Sequence, residues 1–202
     1  MVQAMLKVAL TGGIATGKSH VLELFRERGV SCLDADALAH GVTAEGTEAT
    51  RAIAERFGQD ILDPAGAVNR ATLAAIVFAD ETARRDLEAI VHPAVYRAIT
   101  AGLRAFELLG GSPIAIVDIP LLYETGHAAD FDRVIATVCL PASQMARLIK
   151  RGLRDTEARQ RLAAQMPAID KAARADFVVH TDGTLAETDA QVEQIWNELK
   201  SG

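Results

Sequence analysis

Short apolar runs alternate along this chain with longer segments whose apolar residues recur at helical spacing. The runs Leu6–Leu10, Val30–Leu33, Ile114–Ile119, Val134–Leu140 and Phe177–His180 suit buried strands. The segments Lys18–Arg28, Thr47–Phe57, Thr82–Phe106, Ser143–Arg151 and Leu185–Lys200 suit helices. In the first of these, Val21, Leu22, Leu24 and Phe25 fall on one side, and Gly29 marks the stop. Alternation of this kind favours an α/β fold, a parallel sheet wrapped by helices. Between Asp36 and Ser112 the strand pattern disappears. That stretch reads as a mostly helical insertion, broken at Gly58 and at Asp63-Pro64-Ala65-Gly66.

At 202 residues the chain can build one α/β core with an insertion. Half of it is hydrophobic and only 4% is aromatic, so Ala, Leu, Ile and Val must fill the core. The formal net charge of -6 argues against a general nucleic-acid binder, which normally shows a basic face. A local basic pocket for a phosphorylated metabolite stays open. Cys32 and Cys139 lie far apart in apolar surroundings, as expected of reduced thiols in a cytoplasmic protein, and no Cys/His spacing suggests zinc. No run approaches the roughly 18–20 apolar residues of a membrane span, and the N-terminus lacks a signal-peptide layout. Residues 1–4 read as a ragged extension ahead of Met5. No nucleic-acid or membrane partner is expected, and the chain is expected to be a monomer or a small homo-oligomer.

Chemistry concentrates first at Gly12–Ser19, which reads G-G-I-A-T-G-K-S. The string fits G-x-x-x-x-G-K-S/T, the phosphate-cradling P-loop. Glycines let backbone N–H groups approach phosphate oxygens where a side chain would block them. Here the loop lies between a strand run and a helix N-terminus, whose dipole and free N–H groups attract anions. Lys18 can reach the β- and γ-phosphates, and the Ser19 hydroxyl can sit on Mg²⁺. Gly13, Ile14, Ala15, Thr16, Gly17, Lys18, Ser19 and His20 are therefore the nucleotide-binding candidates. The competing reading is a glycine-rich turn with a chance Lys-Ser.

Other candidates are weaker alone. Asp34-Ala35-Asp36 follows the second strand run, where ligands of open α/β sheets collect. Alternation along an extended segment would put the two carboxylates on one side. Alternatively, Asp36 only caps the helix Ala37–His40. Ile114–Asp118 is an apolar run ending in an acid, the pattern of a strand whose Asp reaches Mg²⁺ through water, or an ordinary strand end. Arg147, Arg151, Arg154, Arg159 and Arg161 populate residues 143–167. This segment reads either as a lid over the nucleotide or as a solvated helix pair. Arg147, Arg151 and Arg154 share one face if a single helix persists. At His92-Pro93 the proline bends the helix or starts a new one.

Taken together, these residues resemble the dephospho-CoA kinase family over nearly the whole chain. The likeness runs through Leu10-Thr11-Gly12-Gly13-Ile14, Asp34-Ala35-Asp36, Arg70 ahead of Ile76-Val77-Phe78, and His92-Pro93. It continues in Val117-Asp118-Ile119-Pro120-Leu121-Leu122-Tyr123-Glu124, the arginine segment, Gln165-Met166-Pro167 with Lys171, and Ala175-Asp176. The D-A-D and D-I-P-L-L-F/Y-E strings are much more specific than a bare P-loop. The resemblance implies a P-loop NTPase-type parallel sheet and transfer of the ATP γ-phosphate to the ribose 3′-hydroxyl of dephospho-CoA. It implies Asp36 as base, Lys18 and the loop amides on the phosphates, and Ser19 on Mg²⁺ with Asp118 behind a water. Arg147, then Arg151, would meet transition-state charge, while Arg70 and His92 would help hold the acceptor. The implied layout is a core at about 1–41, 112–142 and 168–202, an acceptor-binding insertion at 42–111 and a lid at 143–167.

This chain departs from the family's usual G-I-G-S-G-K-S-T at two places. Ala15 replaces a glycine, which suits the loop if its φ is negative, and His20 replaces a threonine whose hydroxyl would serve the α-phosphate. Thr181-Asp182-Gly183 departs from an asparagine before glycine at the expected adenine edge. Two other readings stay open on the residues alone. A different small-metabolite kinase, such as a nucleoside monophosphate kinase, shares the loop but does not explain D-A-D with Asp118–Glu124. A non-catalytic ATP-binding regulator draws support only from His20, and a GTPase switch would want an N-K-x-D string that is missing.

Overall fold

The structure is a computed structural model that describes residues 5–201, so the extension expected at 1–4 lies outside the described residues. The chain divides into two compact units, one reaching Leu33 and resuming at Ala105, the other spanning Asp34–Arg104.

The first unit is built on a sheet in the order β2-β3-β1-β4-β5. Its strands are β1 (Leu6–Gly12), β2 (Ser31–Asp34), β3 (Ile114–Asp118), β4 (Arg133–Val138) and β5 (Phe177–His180). The registered pairs are parallel, with Leu10 opposite Asp118 and Ile135, and Ala136 opposite Val178. Central strands of such a sheet are covered on both faces, which is why β1 and β3 read as unbroken apolar runs. Val8, Ala9, Leu10, Ala115, Ile116 and Val117 are fully buried. On one face α1 (Lys18–Glu27) and α9 (Leu185–Ser201) supply Val21, Phe25, Val192 and Ile195 to the main core. On the other, Ala168 and Ala172 of α8 (Ala168–Ala172) pack on Ala136 and Val138.

Strand ends differ from the sequence reading for local reasons. β1 runs on to Gly12 because Thr11 and Gly12 still pair with Ala136 and Thr137. β4 stops at Val138, since the Leu140 N–H turns to the Asp182 carboxylate at 2.9 Å and α6 (Pro141–Lys150) begins at once. No single helix carries Arg147, Arg151 and Arg154 on one face. α6 ends at Lys150, Gly152 takes φ +90°, and α7 (Asp155–Ala163) restarts with Arg154 as its N-cap.

The second unit is helical apart from an isolated Leu62–Val68 bridge. It holds α2 (Ala35–Val42), α3 (Glu48–Phe57), α4 (Arg70–Ala79) and the larger part of α5 (Glu81–Leu109). Ile53, Ala54, Ile61, Val68 and Leu73 form its core, with Leu87, Ile90 and Val91 packed against them. An Arg56–Asp86 ion pair joins α3 to α5. Pro93 does not start a new helix, because α5 continues through it. Among the described residues no helix is long and apolar enough to cross a membrane.

Candidate active site

The loop between β1 and α1 is shaped by contacts its own sequence does not announce. Gly12 has φ +153°, and a Cβ there would collide with the Thr137 side chain and carbonyl. Only glycine fits this close passage beside β4. Gly17 caps α1 at φ +89°, and among the described residues no side chain caps that helix N-terminus. Its first N–H groups are thus left to an external acceptor. Lys18 and Ser19 open the helix, with Lys18 partly exposed and Ser19 exposed.

Between the two glycines the loop is braced from behind. Thr16 Oγ1 donates to the Gly13 carbonyl at 2.7 Å and meets Thr137 Oγ1 at 2.7 Å. The Thr181 hydroxyl donates to the Thr16 carbonyl at 2.8 Å. Arg147 of α6 donates to the Ala15 carbonyl and to Thr181 Oγ1, each at 3.1 Å, and to the Thr181 carbonyl. Gln144 Nε2 donates to the Ile14 carbonyl at 2.7 Å, and Gln165 Oε1 accepts the Ile14 N–H at 2.9 Å. Thr137, Thr181, Gln144 and Gln165 were not singled out by sequence reasoning as braces. The usable signal was polarity inside apolar stretches, as in Val134–Val138.

Ala15 does not have the negative φ expected of it. Its φ is +60°, in the left-handed region. An L-residue there costs roughly 1–2 kcal/mol. The methyl is buried against Leu148 and Ala158 of α6 and α7, which offsets part of that cost. His20 turns its imidazole to Asp189 of α9, with Nε2–Oδ1 at 2.8 Å. A cavity of about 520 Å³ opens beside Gly13, Ile14, Gln144 and Gln165. Its lining includes Gly13 and Ile14 of the loop but not Lys18, Ser19 or Arg147.

Asp118 ends β3 as a mostly buried carboxylate beside Leu10 of β1. Beyond it, Lys171 of α8 is buried and pairs with Glu124 at 2.7 Å. Arg151 is exposed past the end of α6. The outer arginines of residues 143–167 are held locally, Arg154 by Glu157 and Arg159 by Asp155. Burial pushes the Cys32 thiol up to about 11 and raises Cys139 as well, so both stay protonated at neutral pH.

In the second unit the D-A-D string does not extend as a strand. β2 ends at Asp34, and Asp34 itself is the N-cap of α2, accepting the Asp36 and Ala37 N–H groups at 2.8 and 3.1 Å. Asp36 is therefore not the cap. It sits exposed in the first turn, where the helix dipole favours a carboxylate. The two acids do not alternate on one side, because the chain is already helical at Ala35. Arg70 opens α4 and donates to Thr43 Oγ1 at 2.7 Å, tying it to the far end of α2. His92 is half-buried on α5.

Comparison with known proteins joins these parts. The family model for dephospho-CoA kinase matches residues 6–187. A dephospho-CoA kinase of Anaeromyxobacter dehalogenans is 46% identical over 202 residues, covering 98% of this chain and 94% of its own. The crystal structure of TT1252 from Thermus thermophilus superposes with TM-score 0.82 at 30% identity, covering 97% of this chain and 98% of that one. Dephospho-CoA kinase from Campylobacter jejuni superposes with TM-score 0.73 at 25% identity, with the same coverage. The chain belongs to the dephospho-CoA kinase family.

Proposed function

We propose that this protein transfers the γ-phosphate of ATP to the ribose 3′-hydroxyl of dephospho-CoA, giving CoA and ADP in the last step of CoA biosynthesis. One observation carries the reading above the others. The family match at 6–187 runs through both the braced phosphate loop and the D-A-D helix, so it spans donor and acceptor chemistry alike.

Each residue then has a task. Backbone amides of the loop and the Lys18 ammonium hold the phosphates, and His20 completes the stretch with its ring steadied by Asp189. Asp36 accepts the proton of the 3′-hydroxyl as its oxygen attacks the γ-phosphorus; its exposure leaves the carboxylate accessible. Arg147 and then Arg151 face the charge that spreads over the equatorial oxygens. Arg147 already touches the loop backbone, which supports it as the first of the two. Arg70 and His92 help hold dephospho-CoA, and the Arg70–Thr43 bond supports a wall shared with the Asp36 helix.

Mg²⁺ fits the donor set of the first unit. A hydroxyl from Ser19 and a carboxylate from Asp118, the latter through water, are hard oxygen donors of the kind this ion prefers. When bound, it neutralises charge on the β- and γ-phosphate oxygens. The transition state is loose, so positioning and charge neutralisation carry most of the catalysis.

The test is to supply Mg-ATP with dephospho-CoA, AMP, CMP, dTMP, shikimate or gluconate, follow ADP release and weigh the products. Phosphate gained by dephospho-CoA alone is the expected result. Turnover with another acceptor and none with dephospho-CoA would overturn it.

A further inference from the structure

One charged side chain of the first unit is completely buried. The Lys171 side chain is 0% exposed, in a short helix whose other buried residues are Ala168 and Ala172. A buried ammonium is unfavourable unless it is paired and hydrogen-bonded, and an apolar side chain of similar size would fill such a site more cheaply. Packing alone therefore does not account for a lysine here.

Its partners show what the charge holds. Lys171 Nζ donates to Glu124 Oε2 at 3.0 Å and to the Pro120 carbonyl at 2.5 Å, and lies 2.7 Å from Glu124 Oε1 as an ion pair. Pro120 lies two residues beyond Asp118. The same Glu124 carboxylate accepts the Met166 N–H at 3.0 Å, and the preceding residue, Gln165, accepts the Ile14 N–H. One cation thus joins the turn after β3, the segment before α8 and the beginning of the phosphate loop. Burial depresses the Lys171 pKa, the Glu124 carboxylate opposes that shift, and the Lys18 charge adds to the depression.

We infer that the Lys171–Glu124 pair is a clamp that sets the end of β3, and Asp118 with it, for phosphoryl transfer. Lys171 is a positioning residue, and this role rests on the function proposed above. The nucleotide cradle keeps further braces of its own, through Thr16, Thr181 and Arg147. Loss of the clamp should therefore lower kcat more than it weakens ATP binding.

The experiment compares wild type with Lys171→Met, Lys171→Arg, Glu124→Gln, Asp118→Asn and the double variant Lys171→Met/Asp118→Asn. Folding is checked by circular dichroism at the assay temperature. We expect Lys171→Met to lose at least about 10-fold in kcat, with KM for ATP within about 3-fold. Lys171→Arg should recover part of the loss. The double variant should be no slower than Asp118→Asn alone, because Lys171 acts through that carboxylate. If Lys171→Met does not fold, Glu124→Gln must show the same kcat-selective loss. A folded Lys171→Met within about 2-fold of wild type overturns the clamp, as do losses that multiply in the double variant, or a fully active Glu124→Gln. Wild type unable to phosphorylate dephospho-CoA overturns the function itself, and the role of the clamp with it. Active wild type with an unimpaired variant overturns the clamp alone.

Discussion

The Arg147 guanidinium donates to the Ala15 carbonyl at 3.1 Å, which joins α6 to the turn of the phosphate loop. The same group reaches Thr181, whose hydroxyl continues to the Thr16 carbonyl. Three segments far apart in sequence thereby fix the loop in a single shape. A cradle formed in advance spends little binding energy on ordering itself when phosphate arrives.

Thr181→Val keeps the side-chain shape and deletes the hydroxyl. The buried Thr16 carbonyl and one Arg147 N–H then lose a partner, at a cost of about 1–3 kcal/mol. For a chain of this length that lowers Tm by roughly 2–12 °C. Calorimetry should show that drop, and titration should show weaker ATP binding. An unchanged Tm would mean the brace contributes nothing.

Ala15 tests the loop's backbone directly. Ala15→Gly relieves the left-handed strain but removes a buried methyl, so stability should change by less than about 1 kcal/mol. Ala15→Val places a β-branched residue at φ +60°, where it is an outlier. We expect a loss of at least about 2 kcal/mol in denaturant unfolding. Equal stabilities for the two variants would contradict the φ assigned to this residue.

Asp36→Asn preserves size and removes the carboxylate proposed as base. Since Asp34 rather than Asp36 caps α2, the helix should survive the change. We expect kcat to fall by at least about 10², with ATP affinity nearly intact. Lys18→Ala, by contrast, should weaken both. Steady-state kinetics paired with calorimetric ATP titration separates the two patterns, and a fully active Asp36→Asn removes this residue as base.

The start of α7 gives a pH signature. The Arg154 guanidinium and N–H hold the Glu157 carboxyl down at about 2. A depressed carboxylate stabilises the fold fully above its unfolded value of about 4.3. That contribution is lost as pH falls towards about 2. Carbon NMR of the Glu157 carboxyl should show a midpoint near that value in wild type, and one shifted up towards the ordinary range in Arg154→Ala. A midpoint near 4.3 in both proteins would refute the interaction.

The central strands and the phosphate loop were legible because their signals are local. β1 and β3 are buried on both faces, so they read as continuous apolar runs, and the loop's glycines are spaced by the shape it must take. The D-A-D string marked two candidate acids but not their geometry. A helix starting directly after a strand puts capping ahead of alternation, and the cap falls to Asp34. The conformation of Ala15 is met by a bond from Arg147 of α6, and its neighbour Thr16 by one from Thr181, both far away in sequence. Lys171 was the hardest to read. A lysine beside an aspartate in a short helix suggests solvent exposure, and its partner Glu124 lies 47 residues earlier. Likewise Thr137 looks like an ordinary strand residue, and Thr181 like the start of a turn, until the loop they brace is folded beside them.

The most direct measurement is phosphorus–proton correlation NMR of the product formed from Mg-ATP and dephospho-CoA. We expect one new phosphomonoester, coupled to the ribose H3′ proton, in amounts equal to the ADP released. Coupling to H2′, or ADP formed with no phosphate on dephospho-CoA, would contradict 3′-phosphoryl transfer by this protein.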